Sequence, residues 1–228
     1  MANLCIIPAR GGSKRIPRKN IKPFLGKPII AYSIETALNS ALFDEVMVST
    51  DDEEIIIVAQ KYGANVPFKR SDKNANDFAT TVDVIQEVLS MYKKVEREFD
   101  YVCCIYPTAP FINAKTLNDG YDKLISEKRV SVFPVVNFSY PIWRGLKIKE
   151  DGGIGMVWPE YLDARSQDLK KVYHDAGQWY WLNCRSFESE RSLFNSNSGC
   201  IHMDEMSVQD IDSDIDWKLA EMKFQLNR

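Results

Sequence analysis

The stretch IIPARGGSKRIPRKNIKPF, residues 6–24, decides how the rest of the chain is read. It continues a short apolar run, LCIIPA (residues 4–9), that stops at a pair of glycines. Such a run is expected to form a buried strand whose end opens into a loop. Between Arg10 and Lys22 stand six cations, Arg10, Lys14, Arg15, Arg18, Lys19 and Lys22, without one carboxylate. Gly11, Gly12 and Pro17 exclude a regular basic helix there. The chain carries a net charge of −3; without these six it has 23 Lys and Arg against 32 Asp and Glu, or −9. So concentrated a positive loop in an acidic protein asks for a polyanion. In open α/β sheets, ligands bind beyond the carboxyl ends of the strands, where this loop begins. Gly11 and Gly12 let the backbone approach an anion and turn N–H groups to it, while Arg10, Lys14 and Lys19 can add charge-assisted hydrogen bonds. A triphosphate fits this description. The loop is neither GxxxxGK[ST] nor GxGxxG. A solvated basic loop and a nucleic-acid patch are the other readings the residues allow. The acidic remainder weighs against nucleic acid, whose binders usually spread basic residues over several segments.

From Pro28 the spacing turns helical, with Ile30, Ile34, Ala37 and Leu38 on one face. EVMVSTD (45–51) reads as a second strand, and EEIIIVAQKYG (53–63) as a helix closed by Gly63. Residues 80–95 hold the strongest helical pattern, through Val84, Ile85, Val88, Leu89 and Tyr92. YVCCIYPTAPF (101–111) is a strand ending in a proline-rich turn; a helix is expected over 114–127 and a strand over 129–136. QWYWLN (178–183) reads as the final strand, NSNSG (195–199) as a polar loop and DWKLAEMKF (216–224) as the closing helix. The alternation predicts an α/β fold, a three-layer, mostly parallel Rossmann-like sheet with helices on both faces. Residues 137–173 break the rhythm with aromatics and an EDGG turn. They are expected to form an inserted hairpin or arm between two parts of one core, residues 1–136 and 174–228. A chain of 228 residues can build that core without disulfides or structural metal. No apolar run approaches the roughly 20 residues that span a bilayer, so no membrane partner is expected. The five cysteines (Cys5, Cys103, Cys104, Cys184, Cys200) lack CxxC spacing and read as reduced thiols of a cytoplasmic protein.

Four further constellations carry chemistry. Arg70 and the pair Thr80/Thr81 flank the start of the strongest helix; the threonines suit a cap, and Arg70 a surface cation or an anion contact. CIYPTAPF (104–111) makes a rigid turn that presents Tyr106 and Thr108. Asp210, Asp212, Asp214 and Asp216 alternate, so an extended segment would face them one way, where they repel unless a cation or donors answer. Oxygen ligands of this kind suit Mg²⁺ beside a triphosphate, although Asp216 also makes a good helix N-cap before WKLAE. ARSQDLKKVYHDAGQWYW (164–181) brings polar and charged side chains, among them Arg165, His174, Asp175, Gln178 and Tyr180, up to the last expected strand. His174 is equally a turn residue and Tyr180 a core residue on this reading. With only His174 and His202 in the chain, no histidine-rich metal site or Ser-His-Asp arrangement is available.

IPARGGSKRIPRKN resembles the opening motif of the nonulosonic-acid cytidylyltransferases, which activate sialic acids and their relatives as CMP sugars. RSDKNANDFATTVDVIQEVL, CIYPTAPF and SVQDIDSDIDWKLAE are similar to further segments of that family, in the same order. YHDAGQWYW looks like the version in its pseudaminic acid branch, and Tyr106 stands where sialic acid enzymes usually carry glutamine. The resemblance implies a sheet of the nucleotide-diphospho-sugar transferase type, CTP and a nine-carbon nonulosonic acid as substrates, Mg²⁺ (or Mn²⁺) as cofactor, and a homodimer joined by the arm. It implies nucleotide contacts from Ala9, Arg10, Gly11, Gly12, Ser13, Lys14, Lys19, Asn20, Arg70, Thr80, Thr81 and Thr108. Tyr106, Arg165, Gln167, His174, Asp175, Gln178 and Tyr180 would serve the sugar, and Asp210 and Asp212 the metal. Arg10, Lys14 and Asp212 would be catalytic. Legionaminic or sialic acid substrates, and a nucleotide-binding module without catalysis, are the alternatives.

Overall fold

The computed structural model describes residues 1–227, so Arg228, the last residue of the expected core, lies outside the described residues. β1 (Asn3–Pro8) runs inside the main sheet between β2 (Glu45–Ser49) and β3 (Tyr101–Ile105), parallel to both. Its side chains enter two cores in turn. Cys5 and Ile7 pack with Ile30 and Ile34 of α1 (Ile29–Asn39) and with Ile55 and Ala59 of α2 (Glu53–Lys61). Leu4 and Ile6 pack on the other face with Ile85, Val88 and Tyr92 of α3 (Thr81–Lys94). A strand covered on both faces needs an unbroken apolar run, which is what LCII supplies. Leu117 and Leu124 of α4 (Ala114–Ser126) join the first of these cores.

β4 (Ser131–Asn137), β5 (Tyr173–Asp175), β6 (Trp179–Asn183) and β7 (Ser198–Met203) complete the sheet, in the order β7-β4-β6-β3-β1-β2 with β5 beside the end of β4. The sheet is mixed. β4 and β7 are parallel, but β6 runs antiparallel to both β3 and β4. β5 and β6 lie on the same side of β4 and are parted by Ala176, Gly177 and Gln178, with Gly177 at φ +60°. Trp179 and Trp181 point to the first core, Tyr180 and Leu182 to the second.

Three expectations are corrected. QWYWLN is not the last strand, because SGCIHM forms β7 at the sheet edge and α5 (Cys184–Glu190) precedes it. NSNSG is thus partly strand. Its half-exposed edge position explains why it lacks a strong apolar pattern. Asp216 is not the N-cap of the last helix, α6 (Asp214–Leu226). Ser213 is, and Asp216 closes the capping box from the third helical position.

Between β4 and β5 the chain makes only a small hairpin, Leu146–Ile148 with Ile154–Met156, and short 3₁₀ turns. A third core lies beneath the basic loop, where Ile16, Phe24, Ile29 and Tyr32 meet Phe111, Ile211, Trp217 and Ala220. Packing therefore joins the first thirty residues to the last twenty. None of the helices described is long and apolar enough to cross a membrane.

Candidate active site

The loop leaving β1 is held from three sides. Buried Ile16 anchors it in the third core. The Asn20 side chain donates to the Arg10 carbonyl at 3.0 Å, closing the loop on itself. The Gly11 N–H donates to Asp51 Oδ1 at 3.1 Å, and a Cβ there would stand 2.6 Å from an Asp52 oxygen, so only glycine fits. Arg18, in the left-handed region at φ 55°, donates to both Asp52 oxygens at 2.5 and 2.8 Å and to Glu54. This guanidinium, aided by helix N–H groups, pulls the Asp52 carboxyl down to about 2 against its burial. Asp52 is also the N-cap of α2, so one side chain ties the loop to the carboxyl end of β2.

All six loop cations have carboxylate partners. Arg10 meets Asp77 at 2.6 Å and Lys14 meets the same side chain. Arg15 and Lys19 meet Asp212 at 2.8 and 3.5 Å, and Lys22 meets Asp214 at 3.2 Å. Lys19 also donates to the Ile211 carbonyl at 2.6 Å. The polyanion that the loop requires is supplied, in the free chain, by carboxylates from distant segments. Most of these pairs are partly exposed, where an ion pair is worth about 0–1 kcal/mol and exchanges partners readily.

Beside the loop, at the carboxyl ends of β1 and β3, lies a cleft of about 260 Å³. Of the residues expected to hold the nucleotide, Arg10, Ser13, Lys14, Lys19, Asn20, Arg70, Thr80, Thr81 and Thr108 line it, and so does Tyr106. Ala9 is buried beneath the loop, and Gly11 and Gly12 form its outer turn without lining the cleft. Arg70 is 6% exposed, and its guanidinium donates to Ser49, at 3.0 Å to the hydroxyl and 2.6 Å to the carbonyl. Burial pushes it down to about 10. The charges of Asp51 and Glu87 act against that burial, and an anion entering the cleft would add to them, since a buried cation is costly unless it is paired. Thr80 is the N-cap of α3 and pairs with Asp83 in a capping box, so the cap reading holds for it while it lines the cleft. Thr81 Oγ1 and the Tyr106 hydroxyl are 3.1 Å apart.

The residues expected to serve the sugar divide into two groups. The Tyr106 and Tyr180 rings lie 5.4 Å apart, and the Tyr180 hydroxyl donates to Asp175. Burial pushes both tyrosines above their usual range. Gln178 is 2% exposed, donates to the Ser207 carbonyl at 2.8 Å, and leaves its Oε1 without a protein partner. His174 is exposed at β5, packs on Phe138 and meets the Asp175 carbonyl at 2.8 Å. Arg165 and Gln167 lie away from the cleft. Arg165 pairs with Asp168 at 2.7 Å, and Gln167 lines a small cavity of about 170 Å³ within the arm.

Asp210 is half-buried, and burial followed by the charge of Asp212 raises its carboxyl above the usual range. No group of three or more His, Cys, Asp and Glu side chains able to hold a metal occurs among the described residues. Asp210 and Asp212 offer two hard oxygen donors, of the kind a divalent cation takes when phosphate oxygens and water complete its shell. Asp51, Asp52, Asp77 and Ser49 escaped the sequence reading. For the first, second and fourth of these the available signal was the polar run STDDEE that begins at the end of β2, at the same sheet edge as the basic loop.

Residues 4–138 match the family model described as cytidylyltransferase. Over 227 residues the chain is 44% identical to a pseudaminic acid cytidylyltransferase of Campylobacter jejuni, covering 100% of this chain and 98% of that one. Over 238 residues it is 33% identical to a CMP-N,N'-diacetyllegionaminic acid synthase of Legionella pneumophila, covering 100% and 98%. Among solved structures, CMP:2-keto-3-deoxy-manno-octonic acid synthetase complexed with CTP superposes with a TM-score of 0.72 at 17% identity, over 100% of both chains, a likeness of fold. Full-length identity at this level, on a sheet of this order with its cationic cleft at the end of the first strand, makes the chain a member of the cytidylyltransferase family.

Proposed function

We propose that the chain transfers the CMP group of CTP to pseudaminic acid, releasing pyrophosphate. The observation that carries this reading is the cleft at the end of β1, lined by the buried Arg70 together with the loop cations Arg10, Lys14 and Lys19, in a chain 44% identical throughout to a pseudaminic acid cytidylyltransferase. The anomeric hydroxyl of the sugar attacks the α-phosphorus as the bond to pyrophosphate breaks on the opposite side. Arg10, Lys14 and Lys19 neutralise the triphosphate and the leaving group, and Arg70 with Thr81 and Thr108 holds the nucleotide. In transfers of this type, positioning and charge neutralisation supply most of the catalysis. Cytidylyltransferases of this kind generally use a divalent metal ion. We assign Mg²⁺ to Asp210 and Asp212, with Mn²⁺ able to replace it; when bound, it neutralises charge on the phosphate oxygens.

Tyr106, Tyr180, Asp175 and Gln178 form the wall on which sugar recognition rests in this proposal. The Gln178 Oε1 supports it, as a buried acceptor still needing a donor. Residues 137–173 serve as the dimerisation arm, with Arg165 and Gln167 acting from there. The test is pyrophosphate release from CTP with purified nonulosonic acids. A kcat/KM at least a hundredfold higher for pseudaminic acid than for N-acetylneuraminic acid is expected, since a site built around particular polar groups rejects analogues that leave them unpaired. Equal consumption of both sugars would overturn the substrate assignment, and CTP binding without turnover of any sugar would favour a non-catalytic module. Asp212→Asn is expected to abolish turnover, and EDTA to do the same to the wild type; full activity in excess EDTA would remove the metal.

A further inference from the structure

Arg10 and Lys14 share a single carboxylate. Asp77 Oδ1 accepts from Arg10 Nη1 at 2.6 Å, and Oδ2 accepts from the Lys14 ammonium. These two donors, Lys14 first, hold the Asp77 carboxyl below the usual range. Both cations line the nucleotide cleft, whereas Asp77 comes from the connection between the short helix Asp72–Ala75 and α3. That connection is shaped by Asn76, whose Oδ1 accepts from the Phe78 N–H at 2.7 Å and the Ala79 N–H at 3.1 Å. Asn76, Asp77 and Phe78 are all exposed, Phe78 at 92%, so polar contacts rather than burial hold them in place.

We propose that Asp77 is a specificity-determining residue. In the nucleotide-free enzyme it stands where phosphate oxygens bind, and a ligand must displace it by bringing more negative charge to Arg10 and Lys14 than one carboxylate does. The proposal rests on the reading of this cleft as the phosphate site. A triphosphate or pyrophosphate carries several charges and enough oxygens to satisfy both cations at once. A monoanion gains nothing by replacing Asp77, since it offers the same single charge. The sugar substrate is itself a carboxylic acid, so an open pair of cations would also attract its carboxylate into the phosphate site. Asp77 closes that wrong mode while leaving the polyphosphate mode open, an instance of selectivity achieved by opposing the competitor.

The test compares the full-length wild type with Asp77→Asn, which keeps an acceptor oxygen but removes the charge, and with Asp77→Ala. The position is exposed, so folding is not at stake. Calorimetric titration with inorganic pyrophosphate should give a Kd roughly three- to twentyfold lower in both variants, the scale of two partly exposed ion pairs no longer opposing the ligand. KM for CTP should fall by a similar factor without a rise in kcat. The free sugar acid should become a competitive inhibitor against CTP. Cytidine, which has no phosphate, should bind all three proteins equally. Unchanged or weaker pyrophosphate binding by the variants, or equal tightening of cytidine, overturns the proposal while leaving the phosphate site standing. A wild type that binds neither pyrophosphate nor CTP overturns both.

Discussion

Arg70 and Asp52 show two ways in which a single side chain is adjusted by its surroundings. Arg70 is pushed down to about 10 by burial, against the charges of Asp51 and Glu87, while its guanidinium donates to Ser49. Asp52 is instead held at about 2 by Arg18. Its folded-state value lies below the ordinary 3.8, so the stability it contributes is complete above pH about 4 and is lost as pH falls toward 2. Asp52→Asn retains a good N-cap but not the ion pair. Its melting temperature should lie below that of the wild type at pH 5, with the gap closing by about pH 2. A gap independent of pH would assign the loss to something other than this pair. At Lys14, whose partner Asp77 is exchangeable, substitution by alanine should lower kcat about 10²–10³-fold, the usual loss when one donor to transition-state charge is removed. Circular dichroism should be unchanged, because the side chain is 78% exposed on a loop. Turnover at the wild-type rate would remove Lys14 from the reaction.

Among the elements, α4 has the tightest constraint. Its Gly120 faces the sheet, and a Cβ there would stand 2.4 Å and 2.7 Å from two atoms of the Trp179 ring, itself fully buried. Gly120→Ala gains up to about 1 kcal/mol of helix propensity but must push aside a packed indole, at a cost of about 1–3 kcal/mol or more. A net fall of several degrees in melting temperature is expected for a chain of this size, and thermal denaturation would detect it. An unchanged or raised melting temperature would mean that the helix shifts freely over the sheet. The sequence places a helix over 114–127 but carries no sign of this contact, because Gly120 and Trp179 are distant in the chain. β7 was missed for a related reason. Its residues are mostly half-exposed at the sheet edge, with only Gly199 buried, and their pairing with β4 is long-range. By contrast, α1, α2 and α3 were legible because amphipathic spacing is local and strong.

In the whole molecule, large apolar side chains are left at the surface of the arm. Leu146, Ile148, Ile154 and Leu162 are each more than 60% exposed, as is Tyr140. With Leu146, Ile148 and Ile154 on the small hairpin and the others elsewhere in the arm, they exceed the scattered exposure of an ordinary surface and suit a subunit interface. A homodimer is the expected state at micromolar concentration, and the double variant Ile148→Glu/Ile154→Glu should shift it toward monomer. A monomeric wild type in sedimentation velocity would count against the arm as an interface. The same arrangement would give Arg165 and Gln167, which lie apart from the cleft in one chain, a route to a neighbouring site.

By itself the sequence determined the buried first strand, the cationic loop that follows it, and the main helices, since each depends on local spacing and composition. It also pointed to one region for most of the residues expected to bind the nucleotide, because βα connections put successive loops at one edge of a parallel sheet. Only the tertiary structure decided which charges meet. Arg15 and Lys19 reach Asp212 across almost the whole chain, Arg10 and Lys14 share Asp77, and Asp52 secures Arg18. Coulombic partners are chosen by distance in space, and folding alone brings residues 192 apart in sequence, as with Lys19 and Ile211, within 2.6 Å. The reversed direction of β6 is likewise a tertiary outcome: the chain re-enters the sheet through β5, and both strands run antiparallel to β4.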